Sequence, residues 1–265
     1  MCPLFAPRAF AMTYNLIHRT PLDVSGSETT GLSASPFSEG LYRTVKPSAA
    51  ATSLALEAPA PFDELVASWN AALGPDGALE MQAQVRVDGE WSKWYVLGRA
   101  KGSVFRSPER QEDERGFVDI DTLKLKRKAD AFRYKVLLWA GKKPALLRLA
   151  AVTVSDGDAP APLPFAPGPW ARELKLKPRS QMAEQVEFKR DICSPTSLAM
   201  IMEFHGSGRS TLETAKLVED AATGKYGVWP FNVAAAASPE LEGHVARLDS
   251  LAGLQDEIAA GRPAA

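Results

Sequence analysis

Residues 155–169 separate two stretches of different periodicity, and that change constrains the fold more than any other feature of the chain. The segment holds Asp, Gly, Ala and five prolines with no apolar repeat, the composition of a stiff, extended linker. Before it, apolar residues recur at every second position. Leu79, Met81, Ala83, Val85 and Val87 alternate with polar neighbours, Asp88-Gly89 supplies a hairpin turn, and Trp91, Trp94 and Tyr95 open a return strand. Asp121 to Lys128 and Ala131 to Trp139 predict a second hairpin around Ala129-Asp130, and Leu146 to Val154 predict a further strand. Short strands at regular spacing predict an antiparallel β-sandwich of jelly-roll type. After the linker the period becomes helical. Ser210-Thr211-Leu212-Glu213 is a capping box, Pro230 introduces an alanine-rich helix, and Ser250 starts another that ends at Gly261. The expected fold class is therefore α+β in two domains. Residues 1–60 form a loosely ordered arm with one or two strands, 61–154 a β-sandwich, 155–169 the linker, and 170–265 a helical lobe.

The helical lobe opens with Asp191-Ile192-Cys193-Ser194-Pro195-Thr196-Ser197-Leu198-Ala199-Met200, which places a thiol where extended chain becomes helix. Proline suits a first helical turn because its missing N–H is an orphan there, and Ser194, Thr196 and Ser197 suit the same turn. Leu198, Ile201 and Met202 recur at helical spacing, and Gly206 can end the helix in a left-handed conformation. A thiol at a helix N-terminus meets the positive end of the dipole, which favours thiolate and hence nucleophilic chemistry. A small buried hydrophobe at the start of a core helix is the other reading of Cys193.

Composition excludes several classes. The 265 residues are 45% hydrophobic with a net charge of −1, so no long-range field recruits nucleic acid, and no apolar run is long enough to span a bilayer. Lys124, Lys126, Arg127 and Lys128 read as the solvated face of a hairpin. Cys2 and Cys193 are the only cysteines, too few for a disulfide framework or a thiolate zinc site. No metal and no cofactor is expected. The start, Met1 to Arg8, is interrupted by Pro3 and Pro7 and does not read as an export signal; Met12 is an alternative start, and the compartment stays open.

Cys193-Ser194-Pro195-Thr196-Ser197-Leu198-Ala199-Met200 resembles the active-site helix of papain-fold bacterial cysteine peptidases of the bacteriocin-processing (double-glycine leader) type, in particular stand-alone relatives with an N-terminal β domain. The likeness continues through Tyr226-Gly227-Val228-Trp229-Pro230-Phe231-Asn232, Val245-Ala246-Arg247-Leu248 and Gly261-Arg262-Pro263. In the first half it runs through Ser68-Trp69-Asn70, Trp91-Ser92-Lys93-Trp94-Tyr95 and Asp119-Ile120-Asp121-Thr122-Leu123. The resemblance implies peptide or protein substrates, Cys193 as nucleophile, and an oxyanion hole made by the Cys193 backbone N–H and an upstream glutamine side chain. Gln181 is the chosen glutamine, with Gln185 the other candidate. It also implies a histidine base and an Asp or Asn on strands after Gly-Arg-Pro, and the sequence stops at Ala265. The expectation is thus an incomplete papain-like lobe, inactive as given.

The three histidines offer no obvious substitute. His205 lies on the Cys193 helix about 18 Å further along, His18 matches no motif, and His244 aligns with a non-catalytic segment. The alternative function is non-enzymatic: a β-sandwich that holds a glycan or protein beside a vestigial peptidase lobe. Trp69, Trp91, Trp94, Tyr95 and Trp139 would form the sugar platform, against which stands their use as core. Asp113, Asp119 and Asp121 could ligate calcium, but turn and strand-end capping suits them better.

Overall fold

A computed structural model describes residues 13–36, 39–157 and 172–265. Its strands in chain order are β1 (Thr13–His18), β2 (Glu28–Thr30), β3 (Leu32–Ala34), β4 (Tyr42–Thr44), β5 (Ser48–Thr52), β6 (Leu56–Ala72), β7 (Ala78–Val87), β8 (Glu90–Trp91), β9 (Tyr95–Lys101), β10 (Val104–Arg106), β11 (Gly116–Asp119), β12 (Thr122–Trp139) and β13 (Leu146–Ser155). Four helices follow: α1 (Cys193–Phe204), α2 (Thr211–Val218), α3 (Trp229–Ala236) and α4 (Leu251–Ala259). The chain is α+β in a two-domain layout.

The strands form one antiparallel system that folds over itself because its longest member changes partners. The first residues of β12 pair with β11 and β6; its last residues, Lys135–Trp139, lie between β5 and β7. Register shifts around Ala129 mark the corner, as bulges do where a strand crosses between layers. One layer continues from β7 to β9 and β10, the other from β6 to β13 and then β4 and β1. Their inner faces supply the core. Leu79, Met81, Ala83, Val85 and Val87 are all buried on β7, as their alternation requires. Asp88 and Gly89 both take positive φ in the turn to β8.

Two expectations need correction. The second hairpin does not exist: Ala129-Asp130 is a bulged corner inside a single 18-residue strand, because both flanking segments find separate neighbours. Residues 1–60 are not a loose arm over 13–52, where five strands join the sandwich. There β1 pairs with β13 from Thr13↔Ser155 to His18↔Ala150, and β5 pairs with β12. Alanines at Ala49 and Ala51 fill those inward positions, so the alternation carried a weak apolar signal. Cys2 and most of the linker lie outside the described residues.

The helices end as their sequences predict. Ser210 and Glu213 make the reciprocal capping box of α2, Ser250 Oγ accepts from the Gly253 N–H at α4, Pro230 stands in the first turn of α3, and Gly206 takes a φ of +90° after α1. Leu198, Met202 and Val218 pack α1 on α2. Helix α3 instead reaches into the β core: Val228 and Phe231 are buried with Trp69, Tyr95 and Phe105. Phe231 stacks on Phe105 at 5.2 Å and meets Trp69 edge-on at 6.1 Å. Gly98 makes this possible, since a Cβ there would stand 2.8 Å from Trp69 and 3.0 Å from Phe231. The two halves therefore share one core at α3. Phe231→Ala should destabilise the whole chain by about 3–5 kcal/mol, the range for truncating a fully buried aromatic, as measured by urea denaturation.

A second buried feature is polar. His18 Nδ1 and the Tyr134 hydroxyl are 2.7 Å apart inside the sandwich. Burial lowers the His18 pKa from its ordinary 6.5, outweighing the opposing pull of Asp23. A histidine held neutral contributes stability above its unfolded pKa, and that contribution is lost as pH falls through the lowered folded value. The melting temperature should therefore drop more steeply below pH 6.5 in the parent chain than in His18→Gln, by scanning calorimetry across a pH series.

Candidate active site around Cys193

Cys193 occupies the first position of α1, exposed, with Ile192 as the N-cap residue. No side chain caps this helix. Its first backbone bond runs from the Thr196 N–H to the Ile192 carbonyl at 3.0 Å, reinforced by the Thr196 hydroxyl at 2.6 Å. The N–H groups of Cys193 and Ser194 precede that bond, and Pro195 has none, so the orphan donors of the first turn face outward beside the thiol. Leu198, Ala199 and Met202 anchor the opposite side. Leu198 and Met202 are buried, whereas Trp229 is 58% exposed.

The approach to Cys193 is a loop of two short 3-10 turns, Gln181–Ala183 and Glu187–Arg190. Gln181 Nε2 donates to the Lys189 carbonyl at 2.9 Å and the Arg190 carbonyl at 3.2 Å, which ties the loop down just before the thiol. Gln185 reaches only the neighbouring Ala183 carbonyl, at 3.3 Å. Phe188 stacks on Tyr226 at 5.3 Å. Arg179 and Lys177 converge on Glu203 and hold its carboxyl below its ordinary value.

Asn232, which the sequence reading did not single out, joins the pieces. It is buried on α3, and its Oδ1 accepts from Ser194 Oγ at 3.0 Å. Its amide donates to the Tyr226 and Val228 carbonyls at 3.0 and 2.9 Å. One side chain thus holds the start of α1 against the start of α3 and uses its full set of donors and its acceptor. A polar residue among the alanines of a core helix was the available signal.

The start of α3 is held in turn by the β domain. Asp121 Oδ2 accepts the Trp229 N–H at 3.2 Å, and burial raises the Asp121 pKa above its ordinary value. Asp220, wholly buried, accepts from the Ser107 and Ala222 N–H groups and the Thr223 hydroxyl; burial opposes its charge, but these bonds prevail and its pKa is lowered. A third contact lays residues 243–247 along the sheet. Asn70 exchanges two bonds with Gly243, Ser68 Oγ accepts the Val245 N–H, Thr153 donates to the Val245 carbonyl, and Asn15 exchanges two bonds with Arg247.

None of the histidines reaches Cys193 by hydrogen bond. His18 is paired with Tyr134, His205 caps the far end of α1 with its ring edge-on to Phe204, and His244 follows the Asn70 clamp, its pKa lowered by burial. The acidic candidates are separately engaged. Asp113 takes the Tyr95 hydroxyl and the N–H groups of Arg115 and Gly116, Asp119 pairs with Lys124, and Asp121 serves α3. Among the described residues no three His, Cys, Asp or Glu side chains are grouped to hold a metal, and no helix is long and apolar enough to cross a membrane. The aromatic set divides. Trp69 and Tyr95 are core, while Trp91 and Trp94 are half-buried on the outer face with Arg133 between them, 4.7 and 5.2 Å from the two rings. Lys135 lies 4.1 Å from Trp94 as well.

Residues 22–154 match the family described as the Peptidase C39 N-terminal domain. The chain belongs to that family. Residues 173–265 match the Peptidase_C39 like family, so this is a relative of C39-type cysteine peptidases in both halves. No curated protein matches the chain. Among solved structures, the C-terminal CBM6 of the marine laminarinase LamC from Zobellia galactanivorans is 13% identical, with 53% of this chain and 99% of that chain covered and a TM-score of 0.30. A chain from infectious bursal disease virus, Gx strain, is 10% identical, with 58% and 34% covered and a TM-score of 0.29. Both likenesses are too loose to carry an argument.

Asn232→Ala should remove the strut between α1 and α3. Leaving buried polar partners unsatisfied costs about 1–3 kcal/mol, which chemical denaturation of the variant should show as a lowered midpoint.

Proposed function

We propose that Cys193 is the nucleophile of a peptide-hydrolysing site. The observation that carries this reading is the exposed thiol at the first position of α1, an uncapped helix start held by Asn232. The Cys193 N–H supplies one oxyanion donor. Gln181 supplies the second, exchanging its longer bond to the Arg190 carbonyl for the substrate oxygen. Membership of the C39-type relatives supports peptides as substrates. His18, His205 and His244 do not serve as the base, because none hydrogen-bonds Cys193: His18 pairs with Tyr134 and His205 lies at the far end of α1. By itself the 265-residue chain therefore attacks activated acyl groups but does not cleave amides, since nothing protonates the leaving amine. The alternative, a glycan-holding role for the sandwich, would have to use Trp91 and Trp94 with Arg133 and Lys135 over their rings.

A p-nitrophenyl ester separates the steps, because nitrophenolate leaves without a proton. The chain should release about one equivalent in a burst and then stall as the thioester, the Cys193→Ala variant should show no burst, and peptide amides should remain intact. Absence of a Cys193-dependent burst would refute the nucleophile. Cys193-dependent amide cleavage would show that one of the three histidines reaches the thiol after all.

A further inference from the structure

Away from Cys193, two adjoining hollows run along the seam between the sandwich and α2–α3. The larger is a groove of about 560 Å³ walled by Trp69, Leu73, Phe105, Leu217 and Ala234. The smaller, about 360 Å³, is polar and includes Arg19, Glu39, Arg43 and Glu242. Arg148 lines both, so it stands at their junction. Cys193 lines neither.

Arg148 is set apart by its backbone and by its charge. The β6–β13 ladder passes from Leu147↔Ala71 to Leu149↔Asn70, leaving Arg148 as the extra residue of a bulge. A bulge re-aims a side chain that regular pairing would send elsewhere. The facing backbone is shaped to this bulge. Gly40, at a φ of +127°, presses so close that a Cβ there would stand 2.4 Å from the Arg148 Cα. The other two arginines of the smaller hollow are neutralised, Arg19 by Glu242 at 3.7 Å and Arg43 by Glu39 at 2.5 Å. Arg148 is half-buried and has neither an ion pair nor a side-chain hydrogen bond among the described residues. A half-buried guanidinium without a partner is a standing demand for an anion, with a fork geometry suited to carboxylate.

We infer that this seam is a binding site for a ligand with an apolar body and one terminal carboxylate, the body in the Trp69–Leu217 groove and the carboxylate on Arg148. A largely apolar groove with one convergent charged group is a form that small-ligand sites take. The inference is independent of the role given to Cys193. A fatty-acyl carboxylate and the free C-terminus of an apolar peptide share this chemistry.

Isothermal titration of the whole 265-residue chain tests it with four probes: decanoate, decanol, the peptide N-acetyl-Ala-Leu-Ala-Leu as free acid, and the same peptide as C-terminal amide. At least one acid should bind about tenfold more tightly than its neutral counterpart, as expected for a charged hydrogen-bonded contact, and whichever acid does so identifies the source. Arg148→Met should erase that difference, and Ala72→Trp, which fills the groove wall, should weaken the acid and its neutral counterpart together. The inference is overturned if neither acid binds, if acid and neutral probes bind alike to the parent chain, or if the difference survives in Arg148→Met. The comparison in the parent chain holds whether or not either variant folds.

Discussion

The packing of Phe231 between Trp69 and Phe105 is the contact on which the rest of the molecule depends. It places the start of α3 inside the β core, where Gly98 leaves room for two ring edges. Helix α1 packs on α2 and α3 rather than on a strand, and Asn232 ties its start to α3. The geometry at Cys193 is thus inherited from the β domain, by way of one aromatic wedge and the polar bonds beside it. Aromatic pairs of this kind add about 0.5–1.5 kcal/mol each beyond their buried area, and here they also fix an angle between two structural layers.

The polar contacts give the seam its register, which apolar packing alone does not. Asp121 takes the Trp229 N–H, Asp220 takes the Ser107 N–H, and Asn70, Ser68, Thr153 and Asn15 hold residues 243–247 by their backbone. Each bond crosses from one half of the chain to the other. Several of the segments that carry the likeness to cysteine peptidases are these crossing points: Ser68-Trp69-Asn70 meets Gly243 to Arg247, and Asp121 meets Trp229. The accessory β domain therefore acts as part of the scaffold of the thiol lobe.

Charge is handled differently in the two places where it matters. The basic run on β12 is neutralised residue by residue, Lys124 by Asp119, Lys126 by Glu112 and Arg127 by Asp88. Exposed pairs of this kind contribute little stability. Arg148 departs from that pattern: it is half-buried at a bulge and pairs with no acid among the described residues.

Much of the architecture was legible along the chain, because binary patterning is a local property. Alternation marked β7 and β13, Asp88-Gly89 marked the turn after β7, the Ser210 capping box and Gly206 marked helix ends, and the helix start at Cys193 was evident from Pro195 and the apolar spacing after it. The strands of residues 13–52 were not, since alanine and polar residues fill inward positions there and only pairing with β13 and β12 makes them strands. Nor was the continuity of β12, because a bulged corner and a turn look alike until the neighbouring strands are known. Within the site, the sequence by itself determined the thiol and its helix start. Only the tertiary structure decided that Asn232 anchors Ser194, that Gln181 braces the approach loop, and that His18 is paired with Tyr134. These facts belong to pairs of residues far apart in the chain, and no periodicity or spacing encodes which distant partner a buried polar group will find.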